Sequence, residues 1–192
     1  MNIPNQLTIF RIAVTPVFLL LLLLPVSYNY FWAALVFGLA GISDSLDGYL
    51  ARKNKQVTTF GVLIDPVADK LLTTAALLAF MLFGWCDIWL VLLVLAREFL
   101  VTSVRMVASA QGVVIPANIW GKVKTVSQVV TTLLILLLAE AVQSFGFLDW
   151  LAEGARFVWV SSGILWATAI LAVASGATYV YNAAKIINFN TK

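Results

Sequence analysis

Four aspartates, Asp44, Asp47, Asp65 and Asp69, are the residues of this chain best suited to chemistry, and they lie within one short segment. The sequence contains no histidine and a single cysteine, Cys86. These counts exclude histidine bases, histidine-ligated zinc and, within one chain, a disulfide framework or a cysteine-based metal site. Acid–base or metal chemistry must therefore use carboxylates, lysine, tyrosine or hydroxyl groups.

On a helix, each pair of aspartates falls on one face together with small residues. The first stripe consists of Asp44, Asp47, Gly48 and Ala51, and the second consists of Gly61, Asp65 and Asp69. Two such stripes on neighbouring antiparallel helices form an oxygen-rich cage for a hard cation such as Mg²⁺ or Mn²⁺. Pro66 makes the second stripe less secure, because proline kinks a helix or marks its start.

Two other interpretations of the four aspartates stay open at this point. In the first, they form a structural network in which each pairs with Lys53, Lys70 or an arginine. In the second, they line an ion pathway in a transporter. Carboxylates at membrane depth are costly and need cationic compensation. Four acids beside small residues favour the metal site over the structural network.

The remaining acidic residues are predicted to have other roles. Asp87, Glu140, Asp149 and Glu153 fall in or near the loops opposite the aspartate segment, where we expect solvated charges. Glu98 lies inside the fourth predicted helix.

The elements that must position the aspartates are membrane helices. The chain of 192 residues is 62% hydrophobic and only 11% charged, whereas about a quarter of the residues of a soluble domain are charged. A membrane-spanning helix needs about 20 mostly apolar residues. Six segments meet this requirement: Leu7–Pro25, Phe31–Ala51, Phe60–Phe83, Ile88–Ala110, Ile119–Ala141 and Phe157–Tyr181. We therefore predict an all-α polytopic membrane protein, a six-transmembrane-helix bundle forming one domain over residues 1–192. Its first helix is retained rather than cleaved and starts with a short interfacial segment.

The basic residues predict the orientation of this bundle. They concentrate around Arg52–Lys55, around Lys122 and Lys124, and at the C-terminus, all at one end of six crossings. The loops at the opposite end hold one basic residue, Arg156. An excess of lysine and arginine marks the cytoplasmic side, so both termini and the aspartates are predicted to face the cytoplasm.

The aspartate segment also resembles a known signature. Residues 44–52 read Asp-Ser-Leu-Asp-Gly-Tyr-Leu-Ala-Arg, and eight residues later 61–69 read Gly-Val-Leu-Ile-Asp-Pro-Val-Ala-Asp. This pattern is similar, at every motif position, to that of the CDP-alcohol phosphotransferases. The resemblance implies a six-helix membrane enzyme, a homodimer, that transfers a phosphatidyl or related group from a CDP-linked lipid to an alcohol and releases CMP.

The resemblance also implies roles for single residues. Asp44, Asp47 and Asp65 would bind the divalent metal, Mg²⁺ or Mn²⁺, and Asp69 would be the general base while also contacting metal. The residues assigned to the CDP group are Gly48, Ala51, Arg52 and Gly61, with Asn5 and Thr8 reaching the nucleotide from the first helix.

Weaker motifs resemble one branch of the family, the bacterial phosphatidylglycerophosphate synthases. They are the opening at residues 2–11, Ala-Arg-Glu-Phe at 96–99 followed by Arg105, and Gly-Lys-Val-Lys-Thr at 121–125. The resemblance covers roughly residues 2–128, and the chain beyond is a generic apolar helix. It implies CDP-diacylglycerol as donor, sn-glycerol 3-phosphate as acceptor, membrane lipid as surroundings and no nucleic-acid partner. Inositol phosphate, serine or choline as acceptor, and a divalent-cation transporter, remain the alternatives.

A phosphorylated acceptor needs a basic pocket of its own. The candidates are Arg97, Arg105, Lys122 and Lys124, since arginine in particular suits phosphate. The alternatives are that Arg97 only offsets the acidic cluster, that Glu98 pairs with a neighbouring helix, and that the two lysines only set topology.

Overall fold

The fold is all-helical throughout the part of the chain that the computed structural model describes. The backbone is described for residues 3–54, 59–112, 119–144, 149–152 and 155–186, and the side chains for 8–43, 64, 66–68, 70–112, 119–144, 150–151 and 155–186. The helices are α1 (Ile3–Leu23), α2 (Asn29–Asn54), α3 (Thr59–Leu82), α4 (Ile88–Ala110), α5 (Ile119–Ser144), the short α6 (Asp149–Ala152) and α7 (Arg156–Ala184).

The six long helices coincide with the six predicted segments. At the N-terminus, α1 begins at Ile3 and runs unbroken through the stretch predicted to be an interfacial segment. The third helix begins at Thr59 and continues through Pro66, so this proline does not mark its start. Both aspartate pairs therefore lie on helical backbone, as the spacing predicted.

The helices pack around a core in which small residues allow close contact. Helix α1 packs against α2 and α3, α5 packs against α2 and α7, and α4 packs against α7 and α3. Large buried rings such as Phe18, Phe37 and Phe80 alternate with fully buried alanines such as Ala40 and Ala76. Small residues at helix contacts are typical of membrane bundles, where van der Waals packing drives association.

The outward faces of the bundle are strongly apolar. Large side chains such as Leu82, Ile119 and Trp159 are more than two-thirds exposed, which is unfavourable in water and natural in lipid. Among the described residues, α5 and α7 are long and apolar enough to cross a membrane, and α1 and α2 contain shorter apolar stretches. The described structure is all-helical, and its apolar helices are consistent with a membrane protein.

Glu140 differs from its predicted role as a solvated loop charge. It lies in the last turns of α5 and is only 4% exposed. Its carboxylate accepts hydrogen bonds from the Phe31 main-chain N–H, at 3.2 Å, and from the Ser144 hydroxyl. Because the first N–H groups of a helix lack partners within the helix, this carboxylate caps α2 from a neighbouring helix. Sequence reasoning missed this role because the contact joins residues 109 positions apart.

Asp87 is an exposed loop residue, as predicted, and it also begins α4. Its carboxylate accepts the Leu90 main-chain N–H at 2.9 Å and the Trp166 indole N–H at 3.0 Å. The bond from Leu90 holds the pKa of this carboxyl below its ordinary value.

Candidate functional site

A cavity of about 570 Å³ opens at the end of the bundle where α1, α3 and α5 begin and α2, α4 and α7 end. Its described lining includes six basic side chains and one acidic side chain. The basic residues are Arg11, Lys70, Arg97, Arg105, Lys122 and Lys124, and the acidic residue is Glu98. A cavity with this imbalance favours an anionic ligand.

The structure brings together all four residues predicted for the acceptor phosphate. Arg97 and Arg105 reach the cavity from α4, and Lys122 and Lys124 reach it from α5. Lys122 and Arg105 are exposed, whereas Lys124 is only 6% exposed. Such burial argues that Lys124 does more than set membrane topology.

Glu98 forms ion pairs with two of these cations. Its Oε1 atom contacts Lys124 Nζ on α5 and lies 3.0 Å from Arg97 Nη1. Lys70 of α3 also lies near enough to interact electrostatically with Glu98. The structure therefore shows the arrangement that the sequence left as an alternative, in which Glu98 pairs with a neighbouring helix. One carboxylate links α4 to α5 and compensates part of the positive charge.

The guanidinium of Arg97 is held from the other side by α7. Its Nε donates to the Ala172 carbonyl at 3.0 Å, and its Nη2 donates to the Ser175 hydroxyl at 2.8 Å. Gly176 makes room for it, because an added Cβ there would lie 2.8 Å from Arg97 Cγ. These bonds and the Glu98 pair fix both the plane and the direction of the group.

Arg105 of α4 lies next to Tyr179 of α7, the helix that also contacts Arg97. The guanidinium carbon is 5.8 Å from the centre of the Tyr179 ring, within cation–π range. The Tyr179 hydroxyl is buried and has no hydrogen-bond partner among the described residues. Because buried hydroxyls are nearly always paired, this one is suited to a ligand in the cavity.

Sequence reasoning did not assign Arg11 or Lys70 to this pocket, nor Ser175 and Tyr179. Arg11 lies inside α1 and is buried, and a charge within an apolar helix is a signal for function that the sequence already carried. Lys70 Nζ lies 3.5 Å from the Pro66 carbonyl. The α7 residues have no comparable signal, because serine and tyrosine in an apolar helix are ordinary.

The four aspartates lie in the second half of α2 and the first half of α3, but their side chains are outside the described residues. The cavity nevertheless reaches both helices. It is lined by Ala40 and Gly41, one turn before Asp44, and by Ala68 and Lys70, on either side of Asp69.

Of the residues predicted to contact CDP, one has a described side chain. Thr8 is buried on α1, one turn before Arg11. Among the described residues of α1, Arg11 lines the cavity. The other predicted CDP contacts, Asn5, Gly48, Ala51, Arg52 and Gly61, lie outside the described side chains.

A divalent cation fits the residues that the backbone places on α2 and α3. Carboxylate oxygen is the donor that hard cations prefer, and continuous helix at both pairs preserves the three- and four-residue spacings that put each pair on one face. The metal assignment of Asp44, Asp47, Asp65 and Asp69 stays a prediction.

A comparison with protein families decides the class of this chain. The family model described as CDP-alcohol phosphatidyltransferase matches residues 1–174. The chain belongs to this family. The match runs well into α7 and so extends past the region, residues 2–128, on which the sequence resemblance rested.

This chain also resembles several curated bacterial proteins named CDP-diacylglycerol–glycerol-3-phosphate 3-phosphatidyltransferase. The one from Bacillus subtilis is 38% identical over 176 residues, covering 84% of this chain and 91% of its own length. The one from Pseudomonas fluorescens is 37% identical over 86% of each chain. The one from Rickettsia typhi is 39% identical over 93% of this chain and 94% of its own.

Proposed function

We propose that this family member transfers the phosphatidyl group from CDP-diacylglycerol to sn-glycerol 3-phosphate, giving phosphatidylglycerophosphate and CMP. The observation that carries the proposal is the convergence of six basic side chains on a cavity that also reaches the aspartate-bearing ends of α2 and α3. The names of the similar bacterial proteins agree with this reaction.

The donor binds at the aspartate signature. Gly48, Ala51, Arg52 and Gly61 lie against the CDP group, with Asn5 and Thr8 near the nucleotide. Asp44, Asp47, Asp65 and Asp69 hold the divalent metal, for which we propose Mg²⁺ or Mn²⁺. A metal held there would supply the positive charge that neutralises the pyrophosphate and stabilises the departing CMP.

Asp69 removes the proton from the 1-hydroxyl of glycerol 3-phosphate as that hydroxyl oxygen attacks the phosphorus of the phosphatidyl group and CMP leaves. An alcohol needs a base when the new P–O bond forms, and no histidine is present to serve. Lys70, the next residue, lies in the cavity wall. The acceptor in the cavity is therefore next to this turn of α3.

The acceptor's phosphate binds to the basic side chains. Arg97 presents a guanidinium held by α7, and Arg105 and Lys122 are exposed at the same cavity. Lys124 shares its charge with Glu98 and contributes less. The Tyr179 hydroxyl adds a neutral hydrogen bond. Serine and choline lack the phosphate that these groups would bind, so a phosphorylated acceptor is favoured.

The same proposal covers membrane placement and assembly. All six long helices cross the bilayer within one domain over residues 1–192, both termini face the cytoplasm, and the protein is a homodimer in the inner cell membrane. The location of the basic cavity, at the end where Arg52 and Lys122 also lie, supports a cytoplasmic active site by the positive-inside rule. The donor's acyl chains remain in lipid while its head group reaches this end.

The test is CMP release by purified protein in detergent with CDP-diacylglycerol and Mg²⁺ or Mn²⁺. We expect release with glycerol 3-phosphate and none after chelation of the metal. Release with inositol phosphate alone would reassign the acceptor. Absence of release with any acceptor, together with metal movement across vesicles, would support the divalent-cation transporter.

A further inference from the structure

We propose that Ser175 and Gly176 of α7 are positioning residues that aim the Arg97 guanidinium at the acceptor's phosphate. This inference rests on the proposed function and adds an element to it, because the predicted site residues all lie before residue 125. It assigns part of the acceptor site to a helix whose sequence is otherwise generic and apolar.

The geometry at Arg97 is the first observation. The Ser175 hydroxyl accepts from Nη2 at 2.8 Å, and the Ala172 carbonyl accepts from Nε at 3.0 Å. Glu98 takes a bond from Nη1 on the remaining edge. Of the five guanidinium N–H donors, three are engaged by described groups. The other two belong to Nη1 and Nη2, in a cavity that holds five further cations.

Gly176 supplies the second observation. It is buried in the interior of α7, where glycine is less favourable than alanine. An added Cβ would lie 2.8 Å from Arg97 Cγ and 3.1 Å from its Nε. Cγ belongs to the aliphatic stem and Nε to the guanidinium itself, and at these distances the arginine would have to move. Glycine at position 176 therefore allows the Arg97 side chain to pack directly against α7.

The alternative is that Gly176 only allows α4 and α7 to pack. Packing predicts that alanine at 176 harms folding and both substrates alike. Positioning predicts a selective loss of acceptor binding that depends on the presence of Arg97. Gly163, also on α7, is a matched control, because an added Cβ there has no described atom within 4 Å.

The experiment measures KM for both substrates in Gly176→Ala, Ser175→Ala and Gly163→Ala, each alone and combined with Arg97→Ala. We expect KM for glycerol 3-phosphate to rise about tenfold in the first two, as for loss of a hydrogen bond to a charged group. KM for CDP-diacylglycerol stays within about twofold, and Gly163→Ala matches the parent. Ser175→Thr, which keeps the hydroxyl, restores binding.

The Arg97→Ala background separates positioning from packing. Without the arginine stem, Gly176→Ala and Ser175→Ala should add no further loss, because coupled residues are non-additive. An unchanged KM in the folded single variants, or an equal loss in both backgrounds, would overturn the inference. If Gly176→Ala fails to fold, the comparison of Ser175→Ala with Ser175→Thr decides.

Failure of the proposed function is a separate outcome. If the parent releases no CMP with glycerol 3-phosphate, thermal stabilisation by inorganic phosphate still tests the positioning of Arg97. Stabilisation in the parent and in Gly163→Ala that is lost in Ser175→Ala supports the inference. Equal stabilisation in all three proteins overturns it.

Discussion

Glu98 of α4 and Lys124 of α5 form an ion pair inside the basic cavity, with the lysine buried and the glutamate one-fifth exposed. The pair joins two helices that both supply residues to the pocket. Glu98 is the one acidic residue in the described cavity lining, beside six basic residues, so that lining stays strongly positive.

Replacing Glu98 by glutamine should destabilise the protein. Loss of the carboxylate leaves a buried lysine without its compensating charge, and we expect the free energy of unfolding in detergent to fall by about 2 kcal/mol, between the values for exposed and buried pairs. The double variant Glu98→Gln with Lys124→Met should lose less than the sum of the two single variants. Strict additivity would show that the pair contributes nothing.

Asp69→Asn should abolish turnover while the protein still binds CDP-diacylglycerol. An amide cannot accept the acceptor's proton, and loss of a general base lowers rates by roughly 10²–10⁴. The measurements are CMP release and binding of the lipid donor. Asp87→Asn, an exposed aspartate at the opposite end of the bundle, is the control. Full activity of Asp69→Asn would remove it as the base.

Arg105→Ala should weaken the acceptor far more than the donor. Its guanidinium lies in the cavity wall beside Tyr179, and a lost charged hydrogen bond corresponds to a rise in KM of roughly ten- to a hundredfold. Steady-state kinetics with each substrate varied in turn gives the comparison. Arg156→Ala, at the other end of the bundle, serves as control. Equal effects on both KM values would contradict the assigned role.

Tyr179→Phe tests the unpaired hydroxyl separately from the ring. Phenylalanine keeps the aromatic face under Arg105 and removes only the oxygen. We expect KM for glycerol 3-phosphate to rise about fivefold, as for one neutral hydrogen bond, with unchanged thermal stability. A variant that is more stable and equally active would show that the hydroxyl binds no substrate.

Asp87→Ala should cost about 1 kcal/mol of unfolding free energy near pH 7, because the side chain caps α4. The pKa of this carboxyl is lowered in the folded state, so its contribution is complete above the unfolded pKa, near 4. It is lost as the pH falls through the lower folded pKa. Unfolding curves of both proteins should therefore converge in acid. A constant difference down to pH 2 would contradict the cap.

The sequence predicted the helices well because lipid makes the rule simple. Backbone groups in a bilayer must be satisfied within the segment, so long apolar runs become helices. The outcome at Pro66 was harder to predict, since proline permits either a helix start or a continuing helix. The prediction that Glu140 is a solvated charge was wrong, because its partner Phe31 lies on a helix far away in the sequence.

The four basic candidates for the acceptor were found by residue type and by resemblance, and the structure places all four on one cavity. Composition could not show whether Lys122 and Lys124 bind phosphate or only set the membrane topology, because a lysine near a helix end serves either role. The burial of Lys124 against Glu98 supplied that distinction.

By itself, the sequence determined the chemistry that is possible here. A chain without histidine cannot use histidine chemistry, and four aspartates at helical spacings within a family signature favour carboxylate and metal chemistry. Only the tertiary structure decided which distant residues share the cavity with those helices. Helix packing, which local spacing does not encode, places Arg11 and Lys70 in the same cavity lining as Arg97 and Arg105. It also brings Ser175 and Gly176 of α7 against Arg97, and Tyr179 against Arg105.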